Sequence, residues 1–226
     1  MYDALTIPPH IVLDEAHSPA DIEARSFAII DEAIPEPRPF AGPLWQVARR
    51  CVHTLGDTDI VHDLRLNACA LERGLAALRA GCTVFTDTRM AADGMPTRRL
   101  APLGVTAVPL MALPGIEETA RTQGITRSRA AMLDIASRWA GAIVVVGNAP
   151  TALLTLLDLV SQGTPPPALV VGMPVGFVNA AQSKVLLHES GLPHFTLLGN
   201  KGGSAVAAAC VNAMADMVLA ERGKNV

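Results

Sequence analysis

The chain has 226 residues, of which 50% are hydrophobic, 17% charged and 4% aromatic, a balance that favours a packed protein of helices and strands and excludes a disordered chain. Its formal net charge is −3 and its pI is about 6.0, so it carries no broad basic field. Nucleic acid is therefore not an expected partner.

Helix signals dominate the first third of the chain. The segment Ser18-Pro19-Ala20-Asp21 predicts the start of a helix, because Ser18 can cap free amides, Pro19 suits the first turn and Asp21 can complete a capping box. Prolines at positions 35, 37 and 39 end this helix. Further helices are predicted over about 43–51 and 67–80.

Strands alternate with helices in the rest of the chain. Apolar runs predict strands at 83–86, 104–110, 143–146, 169–171 and 195–198, and helices at 126–139, 150–160, 177–189 and from 203–204 onward. Continuous apolar strands that alternate with helices are typical of a parallel sheet covered on both faces. We therefore predict one α/β domain over residues 1–226, with a single doubly wound, mostly parallel sheet, helices on both faces and a flexible extension at 1–17.

The chain is predicted to be a cytoplasmic protein that does not enter a membrane. Its longest apolar stretch, 204–220, contains Asn212 and Asp216, and a charge near the membrane centre costs about 2.5–3.5 kcal/mol. A buried helix is the better interpretation. The first residues lack the cationic start and apolar run of a signal peptide. The four cysteines show no C-x-x-C spacing and are expected to be free thiols, although two disulfides are possible by count.

The carboxyl ends of the predicted strands are the expected ligand-binding edge, because ligands of open parallel sheets bind there. Four segments follow strands: Asp87-Thr88-Arg89, Gly147-Asn148-Ala149-Pro150-Thr151, 172–176 and 199–204. Their small residues and free helix amides suit anions. In the last segment Lys201 supplies a cation, Gly202 and Gly203 allow close backbone approach, and Ser204 adds a hydroxyl. A tight turn with a helix cap explains these residues equally well.

Three further side chains are candidates for chemistry or anion binding. His53 has a side chain suited to proton transfer near neutral pH, and its alternative role is to cap the helix before it. Arg127 lies in a first helical turn, where a cation opposes the helix dipole, so an anionic partner would explain it. Arg25 lies on an amphipathic helix. Both arginines could also be ordinary solvated surface residues.

Several site classes are not supported by the motifs. Asp57, Asp59, His62 and Asp63 lie close together, but no H-E-x-x-H or other metal-ligand spacing is present. The chain also lacks G-x-S-x-G, G-x-x-x-x-G-K and G-x-G-x-x-G, which disfavours a hydrolase and nucleotide cofactors. The residues alone therefore predict an α/β protein that binds a carboxylated or phosphorylated small molecule, and they favour neither a metal site nor a nucleotide cofactor.

Six stretches in fixed order, spanning about 22–213, carry a resemblance to a known family. They are Ile22-Glu23-Ala24-Arg25-Ser26-Phe27; Val52-His53-Thr54 with Gly56; Thr126-Arg127-Ser128; Gly147-Asn148-Ala149-Pro150-Thr151-Ala152-Leu153; Pro174-Val175-Gly176-Phe177-Val178 with Gln182-Ser183-Lys184; and Gly202-Gly203-Ser204-Ala205 with Val211-Asn212-Ala213. Together they resemble the precorrin-8X methylmutase family, also called precorrin isomerase.

The resemblance implies a homodimeric, cofactor-free isomerase of cobalamin biosynthesis. It implies a [1,5]-sigmatropic shift of a methyl group from C-11 to C-12 of precorrin-8X, giving hydrogenobyrinate, with the catalytic general acid at His53. The substrate is a macrocycle with many carboxylates, which arginine forks and helix amides can hold. The implied substrate-binding residues are Arg25, Ser26, Thr54, Asp87, Arg127, Asn148, Lys201, Gly202, Gly203 and Ser204.

Three residues depart from the family pattern, and alternatives follow. Asn200 stands where an arginine is usual, Arg129 replaces a small residue, and Asp93 replaces a small or neutral one. One alternative is the same reaction on cobalt-precorrin-8, giving cobyrinate. The other is a corrinoid-binding paralogue without catalysis, which would not need His53.

Overall fold

A computed structural model describes residues 18–223, so the prediction for residues 1–17 lies outside the described part of the chain. The strands are β1 (Leu64–Arg65), β2 (Thr83–Thr86), β3 (Thr106–Pro109), β4 (Ile143–Val146), β5 (Leu169–Gly172) and β6 (His194–Leu197). The helices are α1 (Pro19–Ala33), α2 (Gly42–Leu55), α3 (Ala68–Arg79), α4 (Arg89–Asp93), α5 (Thr97–Leu100), α6 (Ile116–Gln123), α7 (Arg127–Ile135), α8 (Pro150–Ser161), α9 (Ala180–Glu189) and α10 (Ser204–Gly223). Short 3₁₀ helices cover Asp59–His62, Ala101–Leu103 and Leu110–Ala112.

The six strands form one sheet in the order β1-β6-β5-β4-β2-β3. All neighbours are parallel except β1, which pairs antiparallel with β6 and places Leu64 opposite Leu197. The predicted α/β class with a mostly parallel sheet is confirmed. Strand β1 was not predicted, because two residues are too short to show a period. Its antiparallel direction means that β1 begins where β6 ends.

Helices cover both faces of the sheet, as predicted. One core cluster contains residues of α2, α3 and α10, and the other contains residues of α6, α7, α8 and α9. Every residue of β4, β5 and β6 is buried, which explains why these strands read as continuous apolar runs. The carboxyl ends of the parallel strands therefore meet at a single edge between the two layers.

Helix α10 is the long apolar helix of the sequence. By length and composition it could cross a membrane, but 67% of its most apolar window is buried inside the protein. It packs against α2 and α3, and the buried sulfurs of Cys51 and Cys210 lie 3.5 Å apart between α2 and α10. The predicted buried helix is confirmed.

Local signals placed some helix ends well and others poorly. The capping box at Ser18 and Asp21 is present. Helix α2 continues to Leu55, four residues beyond its predicted end, so His53 lies within its last turn. The predicted start of α9 at residue 177 is wrong, because Gly176 (φ 137°) and Asn179 (φ 61°) interrupt the helical backbone and α9 begins at Ala180.

Candidate functional site

The turns after β2, β4, β5 and β6 converge at the carboxyl edge of the sheet. The hydroxyls of Thr88 and Ser204 are 2.8 Å apart, although the two residues are 116 positions apart in sequence. A Cβ on Gly147 would lie 2.6 Å from the Cα of Ser204, so only glycine allows the turn after β4 to approach α10 this closely. The turn after β6, which has the most functional groups of the four predicted segments, therefore lies beside the ends of β2 and β4.

Backbone contacts hold the turn after β6, which comprises residues 199–204, against the loop after β5. Gly203 N–H donates to the Met173 carbonyl at 2.8 Å, and a Cβ on Gly202 would lie 2.3 Å from the same oxygen. The buried Lys184 donates from Nζ to the Lys201 carbonyl at 2.6 Å. Burial lowers the pKa of Lys184 to about 8, an effect that the charge of Asp63 partly opposes. Glycine at 202 is thus required for the close approach of this turn to Met173, and the hydrogen bond from the buried Lys184 stabilises the turn.

Lys201 forms an ion pair with Asp57, which follows the end of α2. The hydrogen bond from Lys201 lowers the pKa of Asp57, and the same contact raises the pKa of Lys201. The Lys201 side chain remains 58% exposed, so an incoming carboxylate can reach it. The pair fastens the α2–β1 connection to the glycine turn after β6.

Asp87 is buried at the end of β2, with 2% of its surface exposed. One carboxylate oxygen accepts from Gly147 N–H at 2.9 Å, and the other accepts from Asn148 and Ala149 N–H at 2.7 and 2.8 Å. Burial raises the pKa of Asp87, and the three amides act in the opposite direction. Ala149 is the N-cap of α8 and has no side-chain cap, so Asp87 supplies the acceptor that the helix start lacks.

The imidazole of His53 is exposed on the last turn of α2 and packs edge-on against Phe27 of α1, with ring centroids 5.4 Å apart. The guanidinium of Arg49 covers the Phe27 ring at 4.4 Å. Arg50 bonds to Glu23 at 2.9 Å. Burial opposes ionisation of Glu23, but the hydrogen bond and charge of Arg50 lower its pKa. Helices α1 and α2 therefore orient a solvent-accessible imidazole within a dense set of charges.

The predicted hydroxyls near His53 are bonded within their own helices. Ser26 Oγ donates to the Ile22 carbonyl at 2.8 Å, and Thr54 Oγ1 donates to the Arg50 carbonyl at 2.7 Å. Each oxygen keeps lone pairs for accepting, and each hydroxyl must rotate before it can donate to a carboxylate. Arg25 is exposed on the same helix as Ser26.

Arg127 lies beyond the end of β3, at the start of α7, and lines a cavity of about 460 Å³. Glu117 and Glu118 line the same cavity, and Glu118 is engaged by Arg121 at 2.6 Å. Asn148 is exposed in the turn after β4. The structure thus spreads the predicted residues along one edge of the sheet, with the Lys201 turn near α2 and Arg127 beyond the end of β3.

Three residues with contacts at this edge were not among the predicted site residues: Thr88, Lys184 and Asp57. Thr88 adjoins the predicted Asp87, but its contact with Ser204 depends on the tertiary fold. Lys184 is fully buried in α9, and a lysine among the core positions of a helix is unusual enough to have been a signal. Asp57 was interpreted as part of a solvated acidic loop, and nothing local distinguishes it from Asp59.

Comparison with known proteins decides the family. The model of the precorrin-8X methylmutase family matches residues 21–217. The chain belongs to this family. It is 45% identical over 203 residues to the cobalt-precorrin-8 methylmutase of Salmonella typhimurium, covering 87% of this chain and 94% of that protein. It is 42% identical over 174 residues to the precorrin-8X methylmutase of Pseudomonas aeruginosa, covering 76% of this chain and 83% of that protein.

A solved methylmutase structure has the same fold. The precorrin-8x methyl mutase of Thermus thermophilus superimposes with a TM-score of 0.82 at 38% identity, covering 89% of this chain and 97% of that one. The family resemblance stated from the six sequence stretches is confirmed. The protein is a methylmutase, an isomerase of cobalamin biosynthesis.

Proposed function

We propose that this methylmutase catalyses the [1,5]-sigmatropic shift of a methyl group from C-11 to C-12 of precorrin-8X to give hydrogenobyrinate, with His53 as general acid. One observation carries the proposal: an exposed imidazole lies on the segment that the Asp57–Lys201 ion pair fastens to the glycine turn of β6. The ion pair brings the end of α2, which carries the proposed proton donor, to the Lys201 turn at the edge where α/β proteins bind ligands.

The reaction balances within the substrate. The bond from the methyl carbon to C-11 breaks while the bond to C-12 forms, and the product has the formula of the substrate. Protonation of the macrocycle by His53 lowers the barrier to migration, and loss of a proton from the rearranged π-system restores the balance. The edge-on contact with Phe27 fixes the direction from which the imidazole delivers its proton.

The carboxylates of the macrocycle are proposed to bind along the carboxyl edge. The cations Lys201, Arg25 and Arg127 take the charged groups, while the Gly202 amide and the polar side chains of Ser26, Thr54, Asn148 and Ser204 take hydrogen bonds. Gly203, whose N–H is bonded to the Met173 carbonyl, contributes close approach of the backbone. We propose that Asp87 acts through the turn after β4, whose amides it positions, because its oxygens are buried on that turn.

The second candidate is the same shift on cobalt-precorrin-8, giving cobyrinate. It is favoured by the identity to the Salmonella typhimurium protein, whose name specifies the cobalt form. The Pseudomonas aeruginosa relative, named for the metal-free form, is only slightly less similar. Cobalt belongs to the substrate in this case, and the methyl shift and the side-chain carboxylates are unchanged.

The protein is further proposed to act in the cytoplasm as a homodimer, with residues 1–226 as one domain and without nucleic acid or membrane as a partner. Its net negative charge supports the proposal that nucleic acid is not a partner. Sedimentation at micromolar concentration tests the dimer, since a monomer at that concentration would contradict it.

The function is tested by the visible spectrum of precorrin-8X, and separately of cobalt-precorrin-8, mixed with wild-type protein, His53→Ala and His62→Ala. His62 is an exposed histidine nine positions further along and serves as the matched control. We expect His53→Ala to lose roughly 10²–10⁴-fold in rate, the usual contribution of a general acid. His62→Ala should convert substrate at the wild-type rate.

Each outcome has a distinct meaning. Conversion of one substrate form by the wild type identifies that form. Turnover by His53→Ala at the wild-type rate would remove His53 from the mechanism while leaving the methylmutase intact. Binding of both forms by the wild type without a spectral change would favour the non-catalytic corrinoid-binding paralogue.

A further inference from the structure

The loop after β5, residues 173–179, exposes two large apolar side chains. Phe177 is 89% exposed and Val178 is 79% exposed, the two highest values among the large hydrophobic residues in the described part of the chain. Packing within the described chain does not account for them, since both project from the tip of the loop. Exposed aromatic surface is unfavourable in water, so a binding role has to be considered.

The backbone holds this tip in a defined conformation. Asn179 adopts φ 61°, the one positive φ at a non-glycine residue within 18–223, and Gly176 adopts φ 137°. Asparagine adopts a positive φ more readily than other non-glycine residues, so Asn179 and Gly176 both suit a turn of this shape. The exposed side chains are therefore presented by a constrained turn.

The loop is attached to the Lys201 turn on two sides. Gly176 N–H donates to the Asn200 carbonyl at 3.1 Å, and Gly203 N–H donates to the Met173 carbonyl at 2.8 Å. These bonds place the apolar tip beside the turn that carries Lys201. A cation and an aromatic ring are thus presented together at the carboxyl edge of the sheet.

We propose that Phe177, with Val178 beside it, is a specificity-determining residue that contacts the flat apolar face of the macrocycle while the Lys201 turn holds its carboxylates. This inference rests on the proposed function. A polycarboxylate with a conjugated ring system needs both kinds of contact, and an aromatic side chain stacks on a planar ring with little loss of conformational entropy. Cations alone would bind any polyanion, whereas the ring selects a planar one.

A second copy of the chain is the competing occupant. The centres of subunit interfaces are depleted of lysine and aspartate. Lys201 lies on the turn to which the loop is bonded and pairs with Asp57, and burial against a partner would remove both charges from water. A polyanionic ligand suits this mixture of charge and apolar surface better.

The test measures binding of hydrogenobyrinate, turnover and sedimentation for wild type, Phe177→Ala, Phe177→Tyr and Leu186→Ala. Leu186 is 49% exposed on α9 and serves as the control for loss of an exposed apolar side chain. We expect Phe177→Ala to weaken product binding and raise KM by about ten- to a hundredfold, with a small change in kcat. Phe177→Tyr keeps the ring plane and should bind as the wild type does, as should Leu186→Ala.

Two results would overturn the inference. One is product binding by Phe177→Ala as tight as that of the wild type. The other is a change in the sedimentation of Phe177→Ala, which would make Phe177 a contact between subunits. Failure of the proposed function is distinguishable, because it would appear as wild-type protein that binds product but converts neither substrate form, whereas product binding tests Phe177 without turnover.

Discussion

Replacing Asp87 with asparagine should destabilise the protein, because its carboxylate accepts three backbone amides in a buried turn. The carboxylate receives Gly147 N–H on one oxygen and the amides of Asn148 and Ala149 on the other. Asparagine has one oxygen, which can keep the last two donors. Its NH₂ group would then face Gly147 N–H, and two donors cannot bond.

The expected loss of stability in Asp87→Asn follows from these contacts. A hydrogen bond to a charged acceptor contributes about 1.5–3 kcal/mol, and an unpaired buried donor costs about 1–3 kcal/mol. The cost of burying a charge, which raises the pKa of Asp87, partly offsets the loss. We expect a decrease of about 3 kcal/mol in the free energy of unfolding. For a chain of this size, that is a fall in Tm of roughly 6–12 °C.

Thermal unfolding followed by circular dichroism, with urea unfolding as a second measurement, tests this value. Asp134→Asn is the control, since Asp134 is an exposed carboxylate near the end of α7 that pairs with Arg138 just beyond the helix, and its loss should cost at most about 0.5 kcal/mol. Equal stability of the two variants would refute the structural role of Asp87. If Asp87→Asn then also bound product weakly, Asp87 would be a direct ligand of the substrate.

Three further predictions concern the turn after β6. Gly202→Ala forces a Cβ to within 2.3 Å of a carbonyl oxygen and should lower activity. The clash alone should lower the free energy of unfolding by about 1–3 kcal/mol. Gly141→Ala is the control in the same unfolding assay, because Gly141 also has a positive φ but open space around it. Because the pKa of Lys184 in the folded protein, about 8, lies below its value of 10.5 in an exposed lysine, the unfolded chain binds more protons between these values. The free energy of unfolding of wild type relative to Lys184→Met should therefore rise from pH 8 to 10.5 by up to about 3 kcal/mol, and a difference that does not vary with pH would contradict the assignment. Asp57→Asn frees Lys201 and should tighten product binding several-fold at low salt, an effect that titrations in 0.5 M salt should find reduced.

The sheet was predictable because its strands are buried on both faces. Residues such as Ile143–Val146 form runs too apolar for a solvated strand, and their alternation with helices leaves few topologies. The prediction that ligand-binding residues gather beyond the strand ends follows from that topology. It needed no knowledge of side-chain contacts, so Gly147 and Ser204 could be assigned to one edge from sequence.

Contacts between distant segments were not predictable. The Thr88–Ser204 and Asp57–Lys201 pairs join residues more than a hundred positions apart, and no local pattern selects these partners over their neighbours. The conformation of the loop at Phe177 was predicted wrongly for a different reason. Its apolar side chains suggested an early start for α9, but the positive φ values of Gly176 and Asn179 override that pattern.

The unpredicted strand β1 explains how His53 reaches the candidate site. In an all-parallel sheet, the residues that precede a strand lie at the amino edge, opposite the ligand-binding edge. Because β1 is antiparallel and pairs Leu64 with Leu197, the segment before it lies at the carboxyl end of β6. Leu198 N–H donates to the Asp63 carbonyl at 3.0 Å, which extends this pairing by one residue. Two residues of reversed strand thus bring the end of α2, with its histidine, to the edge where the cations and glycine turns converge.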